Sequence, residues 1–369
     1  MSLVELGDIC EFLDHKRKPV SEELRKSGPY PYYGANGQQG WIDDYIFDEP
    51  LVLLAEDGGH FGSKTKPIAY KISGKTWVNN HAHVLRPRHN CDVDYITHVL
   101  SFYDVSKIIS GTTRPKLTKG NSELIRIPLP SLPEQRRIAG QLEQADRLRR
   151  TRRYALELSD SFLPAAFLEL FGDPRQASVQ WELDEFANLG TLDRGRSRHR
   201  PRNAPHLYGG PYPFIQTGDV TNAKSYIRSH SQTYSEEGLE QSKLWPTGTL
   251  CITIAANIAE TAILTYPACF PDSVVGFIPN DRVKIEFVQF WLGFLQEILE
   301  KTAPESAQKN INLEILRELR CPVPPLALQQ KFAALVERHE HLRATQREAL
   351  RQAEHLFQTL LHRAFSEGV

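Results

Sequence analysis

The residues of this sequence whose types and spacing could do chemistry are arginines and lysines in two short basic runs. Residues 194–202 read RGRSRHRPR, with an arginine at every second position, and residues 15–18 read HKRK. Arginine and lysine bind phosphate groups, and arginine also makes paired hydrogen bonds to the edge of guanine. A single charge run is common on any solvated surface. Here each run follows a Leu-Asp pair, Leu13-Asp14 or Leu192-Asp193, so the pattern predicts a recurring nucleic-acid contact.

A second polar segment lies further along each half. Residues 112–117 read TTRPKL, and residues 308–310 read QKN. Arginine, glutamine and asparagine are side chains that read base edges, so the difference between the halves fits two different base sequences, with an ordinary polar loop as the alternative. The candidate nucleic-acid contacts are Lys16, Arg17, Lys18, Arg114, Lys116, Arg194, Arg196, Arg198, Arg200, Arg202, Gln308, Lys309 and Asn310.

Patterns for catalysis and metal binding are weak. The sequence has no P-loop, no GxGxxG turn and no GxSxG nucleophile elbow. His60, His81 and His83 lack a fourth ligand at a zinc-site spacing. Glu56 and Asp57 lie in a glycine-rich turn, without the nearby lysine of a nuclease pair. The sequence therefore favours binding over catalysis, and neither a metal nor a cofactor is expected in this chain.

Composition places these residues on a globular protein of more than one domain. The chain has 369 residues, 40% of them hydrophobic, which is long for a single core. Its formal net charge is −1, so any nucleic-acid surface must be local. The five cysteines form no CxxC pair, and no run approaches the ~18 apolar residues of a membrane span. We expect a cytoplasmic protein without a membrane segment.

The elements that must position the basic runs come in two copies. Residues 127–138 read IPLPSLPEQRRI and residues 321–332 read CPVPPLALQQKF, and Gln135 coincides with Gln329. Buried strands are predicted at LVLLA (51–55) and HAHVL (81–85) of the first copy, with counterparts in the second. Each copy then ends in a proline break and a long helix. The repeat predicts two similar mixed α/β (α+β) domains related by pseudo-two-fold symmetry.

The two long helices carry the same heptad-like apolar stripe. We expect them to pair as an antiparallel coiled-coil spacer with one globular domain at each end, and Pro164 to kink or end the first helix. The predicted boundaries are 1–130 and 173–324 for the domains and 131–172 and 325–369 for the helices. The predicted coiled-coil and partner-facing residues are Ile138, Ala145, Leu148, Ala155, Phe162, Phe332, Leu335, Leu342, Ala349, Leu356 and Leu360.

Several stretches together resemble the specificity subunits of type I restriction-modification systems. They are YYGANG (32–37), GWIDDYIFDEPLVLLAEDG (40–58), SGTTRPKLTKG (110–120), IPLPSLPEQRRI (127–138) and LFQTLLHRAF (356–365). The resemblance covers essentially the whole chain and is most specific in the first half. The second half is more divergent.

The resemblance implies a DNA-binding, non-catalytic subunit with two target-recognition domains. Each domain would read one half of a bipartite, asymmetric double-stranded target, the N-terminal domain reading the 5′ half. The paired helices would fix the gap and dock two adenine methyltransferase subunits, and a restriction/translocase subunit would complete the complex. S-adenosylmethionine, ATP and Mg²⁺ are expected in those partners. A specificity module of a related phage-defence methylation system, an autonomous DNA-modifying enzyme and a coiled-coil adaptor are the alternatives.

Overall fold

The computed structural model describes residues 3–63, 65–111, 113–176, 181–255, 258–302 and 311–365. These fall into two compact units. Unit 1 comprises Met1–Ala155 and Gln346–Val369, and unit 2 comprises Leu156–Thr345. Each unit combines a mixed α/β part with segments of two long helices, so the predicted fold class of two similar α/β domains with paired helices is confirmed.

Unit 1 is built on two four-stranded sheets. Its strands are β1 (Leu3–Glu5), β2 (Cys10–Phe12), β3 (Tyr30–Gly34), β4 (Gly37–Ile42), β5 (Phe47–Asp48), β6 (Leu51–Ala55), β7 (Ala69–Ile72), β8 (Lys75–Val78), β9 (Ala82–Pro87) and β10 (Arg126–Pro128). Its helices are α1 (Leu6–Ile9), α2 (Val93–Ser101), α3 (Lys119–Glu123) and most of α4 (Leu132–Ser159), with 3-10 turns at Asp14–Lys16 and Glu22–Leu24. The sheets have the orders β2-β9-β6-β7 and β4-β3-β8-β5. Every residue of β6 is buried because both faces of its sheet are covered.

Unit 2 has a central five-stranded sheet. Its strands are β11 (Leu183–Glu185), β12 (Gly190–Arg194), β13 (Tyr208–Phe214), β14 (Tyr226–Ile227), β15 (Gln232–Tyr234), β16 (Leu250–Thr253), β17 (Thr261–Leu264), β18 (Val274–Pro279) and β19 (Arg320–Pro322). Its helices are α5 (Phe162–Phe171), α6 (Thr217–Ala223), α7 (Glu236–Glu240), α8 (Ile285–Thr302), α9 (Leu313–Arg317) and part of α10 (Leu326–Phe365), with 3-10 turns at Phe186–Leu189 and Pro205–Leu207. The sheet order β12-β18-β16-β17 repeats β2-β9-β6-β7, and β14 adds a parallel edge strand.

Strand register corrects part of the predicted correspondence between the halves. Phe12 pairs with Leu85, and Leu192 pairs with Phe277. The Leu-Asp pairs are therefore displaced by one residue, and Asp14 corresponds to Arg194. Side chains alternate between sheet faces, so the register of a strand decides this equivalence. Both basic runs nevertheless follow the same edge strand of their sheet, β2 or β12.

The glutamine shared by the two copies has the same contacts in both units. Gln135 donates from Nε2 to the carbonyl of Pro130 at 2.9 Å and accepts from the amide of Asp92 at 2.8 Å. Gln329 donates to Pro324 at 2.8 Å and accepts from Lys284 at 2.8 Å. Neither side chain has any exposed surface. Each glutamine ties the start of a long helix to the segment that leads into α2 in unit 1 or α8 in unit 2.

Replacing Gln135 by alanine should destabilise unit 1 by on the order of 2–4 kcal/mol, because buried backbone groups would lose their partners. The amide of Asp92 should then exchange its hydrogen faster, while the amide of Lys284 keeps its protection. Gln144, exposed on the same helix, provides the matched control, and Gln144→Ala should leave both amides unchanged. Equal protection of Asp92 in wild type and Gln135→Ala would contradict the assigned role.

The first long helix breaks as expected. Helix α4 ends at Ser159, α5 begins at Phe162, and Pro164 lies in the first turn of α5, where a missing N–H is tolerated. Helix α10 is continuous over its whole length. Within the described ranges, no helix has the length and apolar character needed to cross a membrane.

The structure places the residues of the predicted apolar stripe in different environments. Ile138, Ala145 and Phe332 are buried, whereas Leu335, Ala349 and Leu360 are half-buried. The members exposed to solvent are Leu148, Ala155, Phe162, Leu342 and Leu356. Each exposed member directly precedes a more buried residue, so the inward face lies one position further along than the predicted stripe. These more buried residues are Arg149, Leu156, Leu163, Arg343 and Phe357. Two of them are arginines, which a search for apolar residues does not find.

In unit 1 the inward polar residue is Arg149. Only 8% of its surface is exposed, its guanidinium lies 4.1 Å from the ring centre of Phe357, and it bonds to Asp146 at 2.6 Å. Nearby, Arg152 donates to Gln346 at 3.2 Å. As residue numbers rise along α4 they fall along α10, so the two segments run antiparallel.

In unit 2 the corresponding inward residues lie on α10. His339 contacts the carbonyl of Ser159 at 3.0 Å, and Arg343 pairs with Asp160. Towards the sheet, Phe332 packs edge-on against Phe171, with ring centres 5.6 Å apart. These segments of α5 and α10 are also antiparallel.

Candidate nucleic-acid interface

Four segments of unit 1 meet at one edge of the β2-β9-β6-β7 sheet, where β2 and β6 end and β9 begins. They are the 3-10 turn after β2, the turn after β6, the start of β9 and the loop before α3. The amide of Glu56 donates to the carbonyl of His81 at 2.9 Å, and the amide of Leu117 donates to Glu56 at 2.7 Å. The basic residues at 15–18 and 114–116 are thereby brought together, although about a hundred residues separate them in sequence.

The side chains of the basic run at 15–18 differ in their exposure to solvent. His15, Lys16 and Lys18 are exposed, but the Arg17 side chain is only 12% exposed. Its Nη1 donates to Glu56 at 2.6 Å and to the carbonyl of Ala82 at 2.7 Å. The structure therefore gives Arg17, one of the candidate DNA contacts, an inward position with acidic and carbonyl partners.

His83 occupies the centre of this edge with 1% of its surface exposed. Its Nδ1 lies 2.6 Å from the carboxylate of Asp14, and its Nε2 lies 2.8 Å from the carbonyl of Leu117. An ionised carboxylate and a backbone carbonyl can only accept hydrogen bonds, so both ring nitrogens of His83 face acceptors. Lys116 adds a further cation, 2.9 Å from Glu56. We call Asp14, Arg17, Glu56, His83 and Lys116 the charge network.

The charge network is not arranged as a metal site. Asp14, Glu56 and His83 have ligand atoms within 4.8 Å of one another. However, Arg17 and Lys116 already supply positive charge to Glu56, at 2.6 and 2.9 Å. A cation bound here would have to displace both ion pairs.

The two carboxyl groups of the charge network favour their ionised forms. Burial alone would raise the pKa of Asp14, but the hydrogen bond and charge of His83, the amide of Val84 and the charge of Arg17 lower that pKa below 3.8. Burial also opposes ionisation of Glu56, but hydrogen bonds from Arg17 and Lys116 bring its pKa below 4.5. Each carboxylate therefore stabilises the folded unit above its unfolded-state pKa.

This linkage predicts that unit 1 loses stability in acid. As the pH falls below about 4.5, these carboxyls are protonated in the unfolded chain before the folded one, and the loss continues as the pH falls through the lowered folded pKa values. Denaturant unfolding of the Asp14→Asn/Glu56→Gln double variant should show a shallower loss of free energy between about pH 5 and pH 3. An unchanged pH slope would contradict the assignment.

Arg114 lies at the outer rim of this edge. Its side chain is 66% exposed, and its Nη2 donates to Asp57 at 3.2 Å. The same Asp57 oxygen lies 2.5 Å from Nδ1 of His81, a half-exposed ring. The candidate nucleic-acid contacts of unit 1 that remain exposed to solvent are therefore Lys16, Lys18, Arg114 and Lys116.

In unit 2, the arginines of 194–202 alternate with inward residues. All five arginines are exposed, while Gly195 and Ser197 are buried. A side chain at Gly195 would lie 2.3 Å from the carbonyl of Phe270, so glycine is needed for this close approach. The amide oxygen of Gln241 accepts from the backbone of Arg198 at 2.6 Å. The loop is thus fixed through its backbone while its arginine side chains point outward.

The arginines of this loop differ in their partners. Arg202 pairs with Asp272 at 2.8 Å, and Arg200 donates to the carbonyl of Ser197 at 2.7 Å. Arg194, Arg196 and Arg198 form no ion pair with any residue the structure describes. The predicted contacts Gln308, Lys309 and Asn310 lie outside the described residues.

Sequence reasoning did not identify Asp14 and Glu56 as partners of the basic loops. The available signal was the acidic residue directly before HKRK, together with the Glu56-Asp57 pair after a buried strand. It was ambiguous because the pairing depends on a fold that joins residues far apart in sequence.

Comparison with known proteins agrees with this architecture. The family model described as the type I restriction modification DNA specificity domain matches twice, over residues 1–158 and 179–354. A protein of Haemophilus influenzae described as a type I restriction enzyme specificity subunit is 25% identical over 347 residues, covering 91% of this chain and 87% of its own. The EcoprrI specificity subunit of Escherichia coli is 24% identical over 35% of this chain and 31% of its own.

Solved structures show the same fold. The S subunit of a type I restriction-modification system from M. genitalium superposes with a TM-score of 0.66 at 15% identity, covering 99% of this chain and 96% of that one. A chain from a study of type I complex assembly and conformational transition gives 0.57 at 18% identity, with 98% and 97% covered. The two family matches cover most of the sequence and coincide with the two repeats. The chain therefore belongs to the type I restriction-modification DNA specificity family.

Proposed function

We propose that the two units of this specificity subunit read the two halves of a bipartite, asymmetric DNA target, unit 1 reading the 5′ half. Because the family consists of specificity subunits, the role of the chain is recognition rather than catalysis. The observation that carries the proposal is that exposed cationic side chains follow the same edge strand in both units, after β2 and after β12. A duplicated framework with cations at the same place is suited to two separate contacts with one polyanion.

The differences between the two loops account for two different half-sites. Unit 1 presents Lys16, Lys18 and Arg114, whereas unit 2 presents a series of arginines at 194–202. Lysine provides a compact charge, while the planar arginine group makes paired hydrogen bonds to phosphate or guanine. The basic loops thus combine phosphate contacts that fix the register with base contacts that carry specificity.

Partner subunits would dock on the long helices. Their exposed apolar residues include Leu148 and Phe162 on the first helical segments and Leu342 and Leu356 on α10, at equivalent positions of the repeat. A repeated apolar surface suits two copies of one partner, which we take to be two adenine methyltransferase subunits. A restriction/translocase subunit would join them. S-adenosylmethionine, ATP and Mg²⁺ would then be bound by these partners.

Reconstitution tests this proposal. The purified chain is assayed for methyl transfer to double-stranded DNA alone and together with its methyltransferase partner. We expect no transfer by the isolated chain and sequence-specific adenine methylation by the complex. Methylation by the chain alone would support an autonomous enzyme instead. A complex that binds all DNA sequences equally would support a coiled-coil adaptor.

A further inference from the structure

The charge network connects the two basic loops of unit 1 from inside. His83 bridges Asp14 in the first loop to the backbone of Leu117 beside the second, at 2.6 and 2.8 Å. Arg17 bridges Glu56 to the carbonyl of Ala82. The side chains of Asp14, Arg17 and Glu56 are 11–12% exposed, and that of His83 is 1% exposed. These residues are therefore placed to hold the loops and not to meet a ligand directly.

Unit 2 has apolar residues at the positions equivalent to Glu56 and His83. Glu56 donates its amide to His81 and accepts from Leu117, and Ile254 likewise donates to Ser273 and accepts from Ile311. This pattern makes Ile254 the counterpart of Glu56. By the register of β9 and β18, Val275 is the counterpart of His83. Both Ile254 and Val275 are buried and apolar, and the counterpart of Asp14 is the exposed Arg194. Unit 2 therefore lacks the Asp14–His83 and Arg17–Glu56 contacts, and the shared framework does not require them.

We propose that Asp14, Arg17, Glu56 and His83 are positioning residues that set base discrimination in the unit 1 half of the DNA target. The inference rests on the proposed function of unit 1 as a reader of DNA. Base-edge hydrogen bonds need donors placed to within a fraction of an ångström, whereas phosphate attraction tolerates larger displacements. Loosening the loops should therefore weaken discrimination between bases more than attraction to the DNA backbone.

Arg17 best separates a positioning role from a direct DNA contact. It lies in the basic run, but its guanidinium already binds Glu56 and the carbonyl of Ala82 inside the unit. Arg17→Met removes the internal hydrogen bonds that hold the loop, whereas Lys16→Ala removes an exposed cation. A lost phosphate contact lowers the salt-dependence slope of DNA binding by about 1, while loss of internal hydrogen bonds leaves that slope unchanged. The slope therefore separates positioning from direct contact, even where both variants bind more weakly.

The experiment uses the complex reconstituted with its methyltransferase partner, and the target read from methylated adenines of the host. Binding is measured for the cognate duplex and for duplexes with one base pair changed in either half. For Arg17→Met and His83→Gln we expect discrimination to fall about tenfold in the unit 1 half only. Discrimination in the unit 2 half should stay as in wild type. Arg17→Lys, which can still reach Glu56, should restore part of the loss.

Three results would overturn the inference. Equal loss of affinity for every duplex would indicate a structural role only, and hydrogen exchange at the amide of Leu117 would show whether unit 1 remains folded. A lower salt slope in Arg17→Met would identify Arg17 as a phosphate contact. Unchanged discrimination in both variants would remove the network from recognition. A wild-type complex without sequence preference would instead refute the proposed function itself, which the wild-type duplex series reveals on its own.

Discussion

Replacing Arg196 and Arg198 together by alanine is expected to relax recognition of one half of the DNA target and to leave the other half intact. Both side chains are exposed and form no ion pair within the described part of the chain. If each makes a base contact, each substitution costs ~1–3 kcal/mol, so the double variant should lose on the order of 100-fold or more in affinity for the cognate site. The backbone of the loop is held by Gly195 and Gln241, which remain in place.

The measurement is binding of the reconstituted complex to duplexes that differ by one base pair in either half-site. Arg175→Ala is the matched control, because Arg175 is an exposed arginine of unit 2 that pairs with Asp173 away from the loop. It should bind like wild type. Equal weakening by Arg196→Ala/Arg198→Ala on every sequence would show that these arginines contact phosphates instead of bases. Unchanged binding would remove the loop from the interface.

Inserting seven residues into α4 after Ala155 is expected to change the gap between the half-sites, whereas inserting five is expected to abolish assembly. The inward positions of the helices recur every three and four residues, so a heptad restores the inward face. Five residues turn it by roughly 140° and place Arg149 and Ser159 on mismatched faces. Seven residues add roughly 10 Å of helix, the length of about three base pairs.

Methylation of a library of targets with varied gaps, by complexes carrying each insertion, measures this effect. The heptad insertion should shift the preferred gap by up to about three base pairs or, where docking is lost, leave no methylation. Retained assembly of the five-residue insertion with the wild-type gap would contradict the spacer role of the helices. So would normal methylation of the original site by the heptad variant.

The framework could be predicted from sequence because its signals are local or repeated. The run at 51–55 forms the predicted strand, and the first long helix breaks near Pro164 as predicted. The coincidence of Gln135 and Gln329 in the repeat marks two residues with equivalent contacts. The outward direction of the arginines at 194–202 also follows from their spacing. An alternating pattern places every second side chain on one side of an extended chain.

The remaining features depend on contacts between distant residues. The direction of Arg17 is set by Glu56 and by the carbonyl of Ala82, which no local pattern reveals. Arg149 takes an inward position because Asp146 and the face of Phe357 compensate its charge. A sequence search treats both arginines as solvated. The sequence is therefore least informative about the direction of a charged side chain where that charge has a partner inside the fold.

Mapping methylated adenines across the genome of the host is the most direct test of the central claim that two units read two half-sites. The account predicts a single asymmetric motif made of two short specified sequences separated by a gap of fixed length, with one methylated adenine on each strand. Exchanging residues 181–322 for the second recognition domain of a related subunit should change one specified sequence and keep the other. A continuous motif, or a change in both sequences after the exchange, would contradict the account.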